Sequence, residues 1–453
     1  MTQGETTLVV ENTAIAPVVG PEIANGHLVI EGDRITAVGG GPAPAVPAHA
    51  RRIDGTGCLA TPGLVNTHHH LYQWASQGLA QEATLFEWLV TLYPIWARMD
   101  AEIVRGAAGA ALAWLAKSGC TTASDHHYIF PRGRGDLFAA EIDAARTVGL
   151  RFHPCRGSMD RGRSDGGLPP DEVVESLDDI LAETEKAIDA YHDPAPGSML
   201  RVAVAPCSPF SVSTELLTRS AELARDRGVR LHTHLAETLD EEEHCLEQFG
   251  VTPVEYLDRL GWLGPDVWLA HAIHLHDADV ARLGETGTGV AHCPSSNARL
   301  GAGIARVCDL LRAGVPVGLG VDGAASGEMT PLAGEVRMAM LMQRARYGPG
   351  ALTARQALEL GTLGGARCLG RQDEIGSLEV GKLADVALWR IDGFHAAIDD
   401  PVCALVYGRT PPLARLLVGG ATVVEDDELR TASQDTLGAA GAQAHRRLMR
   451  GVR

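Results

Sequence analysis

The sequence predicts an α/β protein, a closed (β/α)8 TIM barrel with a small β-sandwich domain built from both chain ends. Three observations carry this reading. Short, nearly continuous apolar runs alternate with amphipathic helical stretches through the middle of the chain, the mark of parallel strands covered on both faces. Eight such runs occur, the number that closes a barrel. Strands that alternate apolar and polar residues are confined to the two ends, and 453 residues suit one large barrel with a satellite.

Taken in order, TTLVVENTAI, HLVIEGDRITAVGG and RRIDGTGCLAT alternate β-branched or apolar residues with polar ones, and GGGPAPAVPA between them is a loop. The eight runs are LATPGLVNTHHH, CTTASDHH, LRFHPCRGS, LRVAVAPCS, GVRLHTHLAET, DVWLAHAIH, GTGVAHCPSS and PVGLGVDGA. AEIVRGAAGAALAWLAKSG, ELLTRSAELARDRG and ARQALELGTLGGARCLG are the clearest of the intervening helices. IGSLEVGKLADVALWRID and ARLLVGGATVVEDD then return to the strand grammar of the start. Neither terminal piece can bury a face alone, so the two are expected to meet.

The expected division is 1–61 and 373–430 for the sandwich, 62–372 for the barrel and 431–453 for a C-terminal helical tail. That tail is Ala-rich, carries Arg446, Arg447, Arg450 and Arg453, and reads as solvated. A doubly wound open sheet is the alternative topology. It calls for a Gly-rich loop opening a helix, and Gly39–Gly41 is followed by no helical pattern.

Composition narrows the function classes. Lys and Arg total 39 against 57 Asp and Glu, a net charge of -18, and no basic stretch offers phosphate contacts. Nucleic acid and anionic membrane surfaces are therefore not expected partners. No apolar run is long enough to span a bilayer. The opening MTQGETTLVVENTAIAPVVG has acidic residues and no basic lead, unlike a secretion signal. Nine scattered Cys without a CxxC pair read as reduced thiols of a cytoplasmic protein.

The polar residues fall at the C-terminal ends of the runs, the face on which barrel enzymes build their sites. With a period of two, His68 and His70 leave one face of the first strand and His69 the other. The fifth run ends in His232-Thr233-His234-Leu235-Ala236-Glu237, the sixth in His271 and the eighth in Asp322. Imidazoles with a carboxylate form a donor set suited to Zn²⁺ or Fe²⁺. A second metal would call for a bridging Lys or Glu on the fourth strand, where RVAVAPCS has neither. Cys207 there reads as a buried small hydrophobe, with a soft bridge as the alternative. One divalent cation is expected, leaving His271 to act on substrate.

Gln73, three residues after His70, offers a donor and an acceptor suited to a ring edge with C=O beside N–H. Cys207 and Asn297 are further candidates for substrate contact; for Asn297, as for Ser295 and Ser296 beside it and His126, His127, Cys155 and Arg156 at other strand ends, a supporting role is the alternative. The aromatic group Trp74, Phe86, Trp88, Tyr93 and Trp96 reads as packing or a subunit interface.

PGLVNTHHH, HTHLAET, LAHAIH and GLGVDGAAS resemble strand ends of the amidohydrolase superfamily, in the branch of guanine, cytosine and S-adenosylhomocysteine deaminases and triazine hydrolases. GSLEVGKLADVALWR is similar to the segment by which such chains return to their sandwich. The resemblance implies one metal held by His68, His70, His234 and Asp322, with Asp322 also taking a proton, Glu237 as the proton-shuttling acid/base and His271 assisting attack. It also implies a homo-oligomer acting on a small-molecule heterocycle.

Gln73 matches a Gln of guanine deaminases, whereas Cys207 stands where those enzymes carry Arg, which argues against guanine. HHHLYQ, LYPIWARM, GCTTASDHHYIFP, RFHPCRGSM and AHCPSSNARLG resemble segments of the 8-oxoguanine deaminase group. The reaction implied is 8-oxoguanine plus water to urate plus ammonia. Isoxanthopterin or guanine deamination, or triazine hydrolysis, is the alternative. The chain departs from the group at Trp74-Ala75-Ser76 and at Ser326-Gly327-Glu328. Cyclic-amide hydrolysis of the dihydropyrimidinase kind would need a bridging Lys that the fourth strand lacks, and a non-catalytic barrel would have no use for Glu237 and His271.

Overall fold

The computed structural model describes residues 7–452. The first six residues of the opening segment and Arg453 of the tail lie outside the described residues. Eight parallel strands form the closed barrel: Leu64–Asn66, Cys120–His127, Arg151–Ser158, Ala203–Pro206, Arg230–Leu235, Val267–His271, Gly289–His292 and Val317–Leu319. The eighth closes on the first through Leu319 opposite Asn66. All eight correspond to the runs read from the sequence. The first differs in detail, because LATPGLVNTHHH is divided at Gly63 into a sheet strand, Cys58–Pro62, and the short barrel strand. His68 and His70 therefore lie in the chain just beyond the strand end rather than within it.

Helices cover the barrel where the caps allow them to start. Asp100, Asp136, Ser176 and Ser213 each accept the backbone N–H three residues on, at the heads of Ala101–Lys117, Leu137–Val148, Leu177–Tyr191 and Thr214–Asp226. No helix among the described residues is long and apolar enough to cross a membrane.

The chain ends form one nine-stranded sheet. Its joint is the antiparallel pairing of Cys58–Pro62 with Val386–Arg390, in register from Cys58 opposite Arg390 to Pro62 opposite Val386. Leu8, Val10, Ile15, Leu28 and Ile30 from the first part share a core with Val386, Leu388 and Leu417 from the last. Burial of that shared core explains why two weak sheets separated by the whole barrel form one unit.

Arg151 at the start of the third barrel strand bolts the barrel to this sheet. Its Nε and Nη2 lie 2.7 and 3.1 Å from the two oxygens of Asp385, and both side chains are 2% exposed. Asp385 also accepts the Gly419 N–H at 2.7 Å. Asp385→Ala leaves a buried guanidinium without its counter-charge, so a loss of about 3–5 kcal/mol is expected in urea unfolding. The double replacement Arg151→Met with Asp385→Leu should cost much less than Asp385→Ala, because it buries no lone charge.

The C-terminal helix, Gln434–Leu448, corrects the reading of a solvated tail. It lies along Ala101–Lys117 with Gly441, Ala444 and Leu448 buried. The approach is close because Gly106 has no side chain. A Cβ there would come within 2.8 Å of the Ala440 carbonyl oxygen. Arg447 pairs with Asp100 at 2.8 Å and His445 Nδ1 donates to the Ala75 carbonyl at 2.9 Å, so the polar face is tethered too.

Candidate active site

The C-terminal ends of barrel strands one, five, six and eight converge on a cavity, every lining residue of which is buried. His70, Gln73, Cys207, His234, Glu237, His271 and Asp322 all line it. His68 sits beneath them, wholly buried.

Backbone conformation at these strand ends is unusual. Ala236, His271, Ala272 and Asp322 all have positive φ, between +47° and +71°. Left-handed backbone at residues other than glycine costs on the order of 1–3 kcal/mol each and persists where surrounding structure enforces it. Here it turns Glu237, His271 and Asp322 inward.

Four ligand-type side chains face one another, with three of the separations between their atoms at 3.1–3.4 Å. His70 Nε2 lies 3.1 Å from His234 Nε2 and 3.4 Å from Asp322 Oδ1, which is also 3.4 Å from His68 Nε2. Atoms bound tetrahedrally at ~2.0–2.1 Å from one zinc ion stand about 3.3 Å from one another. Their protonation agrees. His70 Nδ1–H donates to the His126 carbonyl at 2.6 Å and His234 Nδ1–H to the Cys207 carbonyl at 2.7 Å. Both Nε2 atoms therefore present bare lone pairs to each other, an arrangement that a cation satisfies and a proton-free gap does not. His68 Nε2 is likewise buried without a hydrogen-bond partner. Burial holds all three imidazoles below their ordinary pKa and so neutral. The donor set thus fits one divalent cation.

Asp322 is braced at both oxygens: Oδ2 accepts hydroxyls from Ser296 at 2.6 Å and Ser326 at 3.2 Å, and Oδ1, which faces the imidazoles, accepts the Gly323 N–H at 2.7 Å. Burial opposes its charge, but the surrounding imidazoles of His68, His271 and His70 hold the carboxyl well below its usual range.

Glu237 and His271 flank this cluster. Glu237 Oε2 is 3.6 Å from His271 Nε2, and Asp322 Oδ2 is 4.0 Å from the same atom. Burial pushes Glu237 up to about 7, with His271 opposing the rise and Asp322 adding to it. A carboxyl poised near neutrality suits proton transfer in both directions. His271 Nδ1 lies 3.0 Å from Asn297 Oδ1. Burial alone would depress His271; the carboxylates of Glu237 and Asp322 outweigh it and raise it.

Asn297 is thereby placed behind His271 and off the cavity wall, not where a substrate contact was expected. Cys207 does line the cavity. Burial pushes its thiol up to about 12, so it offers S–H and not a thiolate. Gln73 is fully buried with neither amide atom hydrogen-bonded. It lies over Gly323, where an added Cβ would fall 1.9 Å from its Oε1, so only glycine permits that placement after Asp322.

Several functional neighbours were not read from the sequence. Glu241 accepts the N–H groups of Ala236 and Glu237 at 2.9 and 3.1 Å and so fixes the turn that carries Glu237. Its place in the acidic run LDEEEH hid it, though a Glu in the first turn of a helix is a capping signal. Tyr128 lines the cavity, and from the aromatic group Trp88 and Tyr93 do so as well, beside Leu85, Leu89, Phe210 and Leu300. That wall makes the cavity apolar opposite the cluster, and no Lys or Arg lines it.

The profile of the amidohydrolase family matches residues 59–421. The chain is 47% identical over 410 residues to an 8-oxoguanine deaminase of Pseudomonas aeruginosa, covering 90% of this chain and 91% of that one. It is 38% identical over 460 residues to an isoxanthopterin deaminase of an unknown prokaryotic organism, covering 96% and 93%. Among solved structures, atrazine chlorohydrolase from Arthrobacter aurescens TC1 complexed with zinc superposes with a TM-score of 0.92 at 33% identity, over 97% of this chain and 100% of that one.

Proposed function

The chain belongs to the amidohydrolase family, and from that premise we propose that it is a metal-dependent hydrolytic deaminase of an oxidised purine, turning 8-oxoguanine and water into urate and ammonia. The observation that carries the reading is the convergence of three bare imidazole nitrogens and Asp322 Oδ1 beside Glu237 and an unpartnered amide, in a cavity lined by buried residues.

His68, His70, His234 and Asp322 would hold the cation, and Zn²⁺ is proposed because imidazole and carboxylate suit it and the superposing chlorohydrolase was solved with it. A divalent cation bound there supplies an acidified water as nucleophile and a Lewis acid beside it. Asp322 takes the first proton. Glu237 carries a proton to the ring nitrogen next to C2 and then to the departing amine, so that C2 gains oxygen and the C2–N bond breaks as ammonia leaves. His271, its Nδ1 held by Asn297, keeps Nε2 toward the reacting centre and stabilises the oxygen that develops charge. Gln73 reads the C=O and N–H edge of the ring with its two free amide atoms.

The cation-free wall favours a neutral heterocycle. The resemblance to the P. aeruginosa deaminase at 47% favours 8-oxoguanine over a pteridine. All nine cysteines are unpaired, which supports the proposed cytoplasmic setting.

Release of ammonia from 8-oxoguanine, isoxanthopterin and guanine, and of alkylamine from hydroxyatrazine, by zinc-loaded protein tests the reading, with the four compared by kcat/KM. The expected result is a preference for 8-oxoguanine of about tenfold or more, the discrimination that a few matched polar contacts give. A higher kcat/KM for isoxanthopterin or the triazine would replace the substrate and keep the site. Inactivity on all four would overturn the proposal.

A further inference from the structure

We infer that His232, which touches neither cavity nor substrate, is a positioning residue that fixes the tautomer of His68 and thereby aims a bare Nε2 into the cluster. The inference rests on the proposal that His68 is a metal ligand and deepens it.

A chain of three hydrogen-bonding groups carries the argument. His232 Nδ1 lies 2.8 Å from the Trp268 carbonyl oxygen, and a carbonyl can only accept, so that nitrogen bears the proton. His232 is fully buried, and among the described residues no carboxylate is hydrogen-bonded or salt-bridged to its ring. Its ring is therefore neutral, and its Nε2 is an acceptor. That Nε2 lies 2.8 Å from His68 Nδ1, so His68 must donate there. The remaining nitrogen of His68, Nε2, is left unprotonated, and it is the atom found buried without a partner 3.4 Å from Asp322 Oδ1. His70 and His234 reach the same state by donating to backbone carbonyls. Only His68 depends on another side chain for it.

Packing holds the relay in place. The His232 ring stacks on the Trp268 indole with centroids 4.4 Å apart and planes 15° from parallel. The indole N–H of Trp268 donates to the Thr67 carbonyl at 3.0 Å, beside His68 itself. One tryptophan therefore anchors both ends of the relay, through its carbonyl to His232 and through its ring nitrogen to the chain bearing His68.

The test measures zinc affinity of the full-length chain, stripped with a chelator and reloaded against a chromogenic competitor. Wild type is compared with His68→Ala, His232→Phe and His232→Gln. Phenylalanine keeps the stack on Trp268 and removes the acceptor; glutamine keeps an acceptor and a donor. Loss of an outer partner of a ligating histidine typically costs 10–100-fold in affinity, so about that loss is expected for His232→Phe, with His232→Gln within about threefold of wild type. Thermal melting of the metal-free forms should be alike for wild type and His232→Phe.

Zinc binding by His232→Phe as tight as wild type would overturn the inference while loss of zinc in His68→Ala kept the metal reading. Equal weakening by Phe and Gln would assign the effect to packing and overturn it as well. Unchanged zinc affinity in His68→Ala would remove the metal reading and this inference together.

Discussion

Glu237→Gln is expected to fold, to hold zinc at one equivalent per chain, and to lose about 10²–10⁴-fold in kcat, the usual contribution of a positioned acid/base. The substitution changes little else. Glutamine has the same volume, and the turn around position 237 is held through its backbone by Glu241. Glu237 makes no contact with His68 or His70 at hydrogen-bond distance; its near neighbour is His271, at 3.6 Å. An amide there can still fill the buried space, but it cannot pick up a proton at one atom and deliver it to another. A merely structural role would show as lost zinc or a lowered melting temperature with modest change in kcat. Zinc content by elemental analysis and kcat for ammonia release separate the two, and full activity in Glu237→Gln would remove Glu237 from the proposed chemistry.

Much of this arrangement was legible because barrel geometry turns chain position into spatial position. A residue at the C-terminal end of a parallel strand faces the shared rim, so His68, His234, His271 and Asp322 could be assembled from runs far apart in the chain. Periodicity also separated the end segments from the barrel. What stayed hidden is set by loops meeting across the rim, where spacing carries no signal. Asn297 looked like a substrate reader because it follows the seventh strand; the turn that begins at Pro294 instead carries it behind His271. Ser296 and Ser326 converge on one oxygen of Asp322 from separate loops.

Nothing in the sequence marks a role for His232, which stands there only as part of the end of the fifth run. Its function became visible only with the distances that order the protons along Trp268, His232 and His68. The docked C-terminal helix was obscured by its Arg content, which outweighed a stripe of small residues at Gly441 and Ala444.

Asp322→Ala is the other substitution expected to act strongly, and its signature differs from that of Glu237→Gln because metal and activity should fall together. Asp322 is the one carboxylate among the four converging groups, so its loss leaves a dication in a buried site with neutral donors alone. It also removes the carboxylate acceptor of the buried Ser296 and Ser326 hydroxyls, which keep only each other and the Gly323 carbonyl. Outer partners of metal ligands already contribute 10–100-fold, so removing a direct ligand should weaken zinc by at least about 100-fold. Turnover should then lie at the limit of detection even with zinc in excess, because the proton acceptor has gone as well. Asp322→Asn sharpens the assignment: it retains an oxygen for the cation and the approximate shape, so it should recover part of the zinc affinity and little of the activity. Equal zinc content in wild type and Asp322→Ala, measured after desalting, would show that the cation is not held where His68, His70, His234 and Asp322 meet.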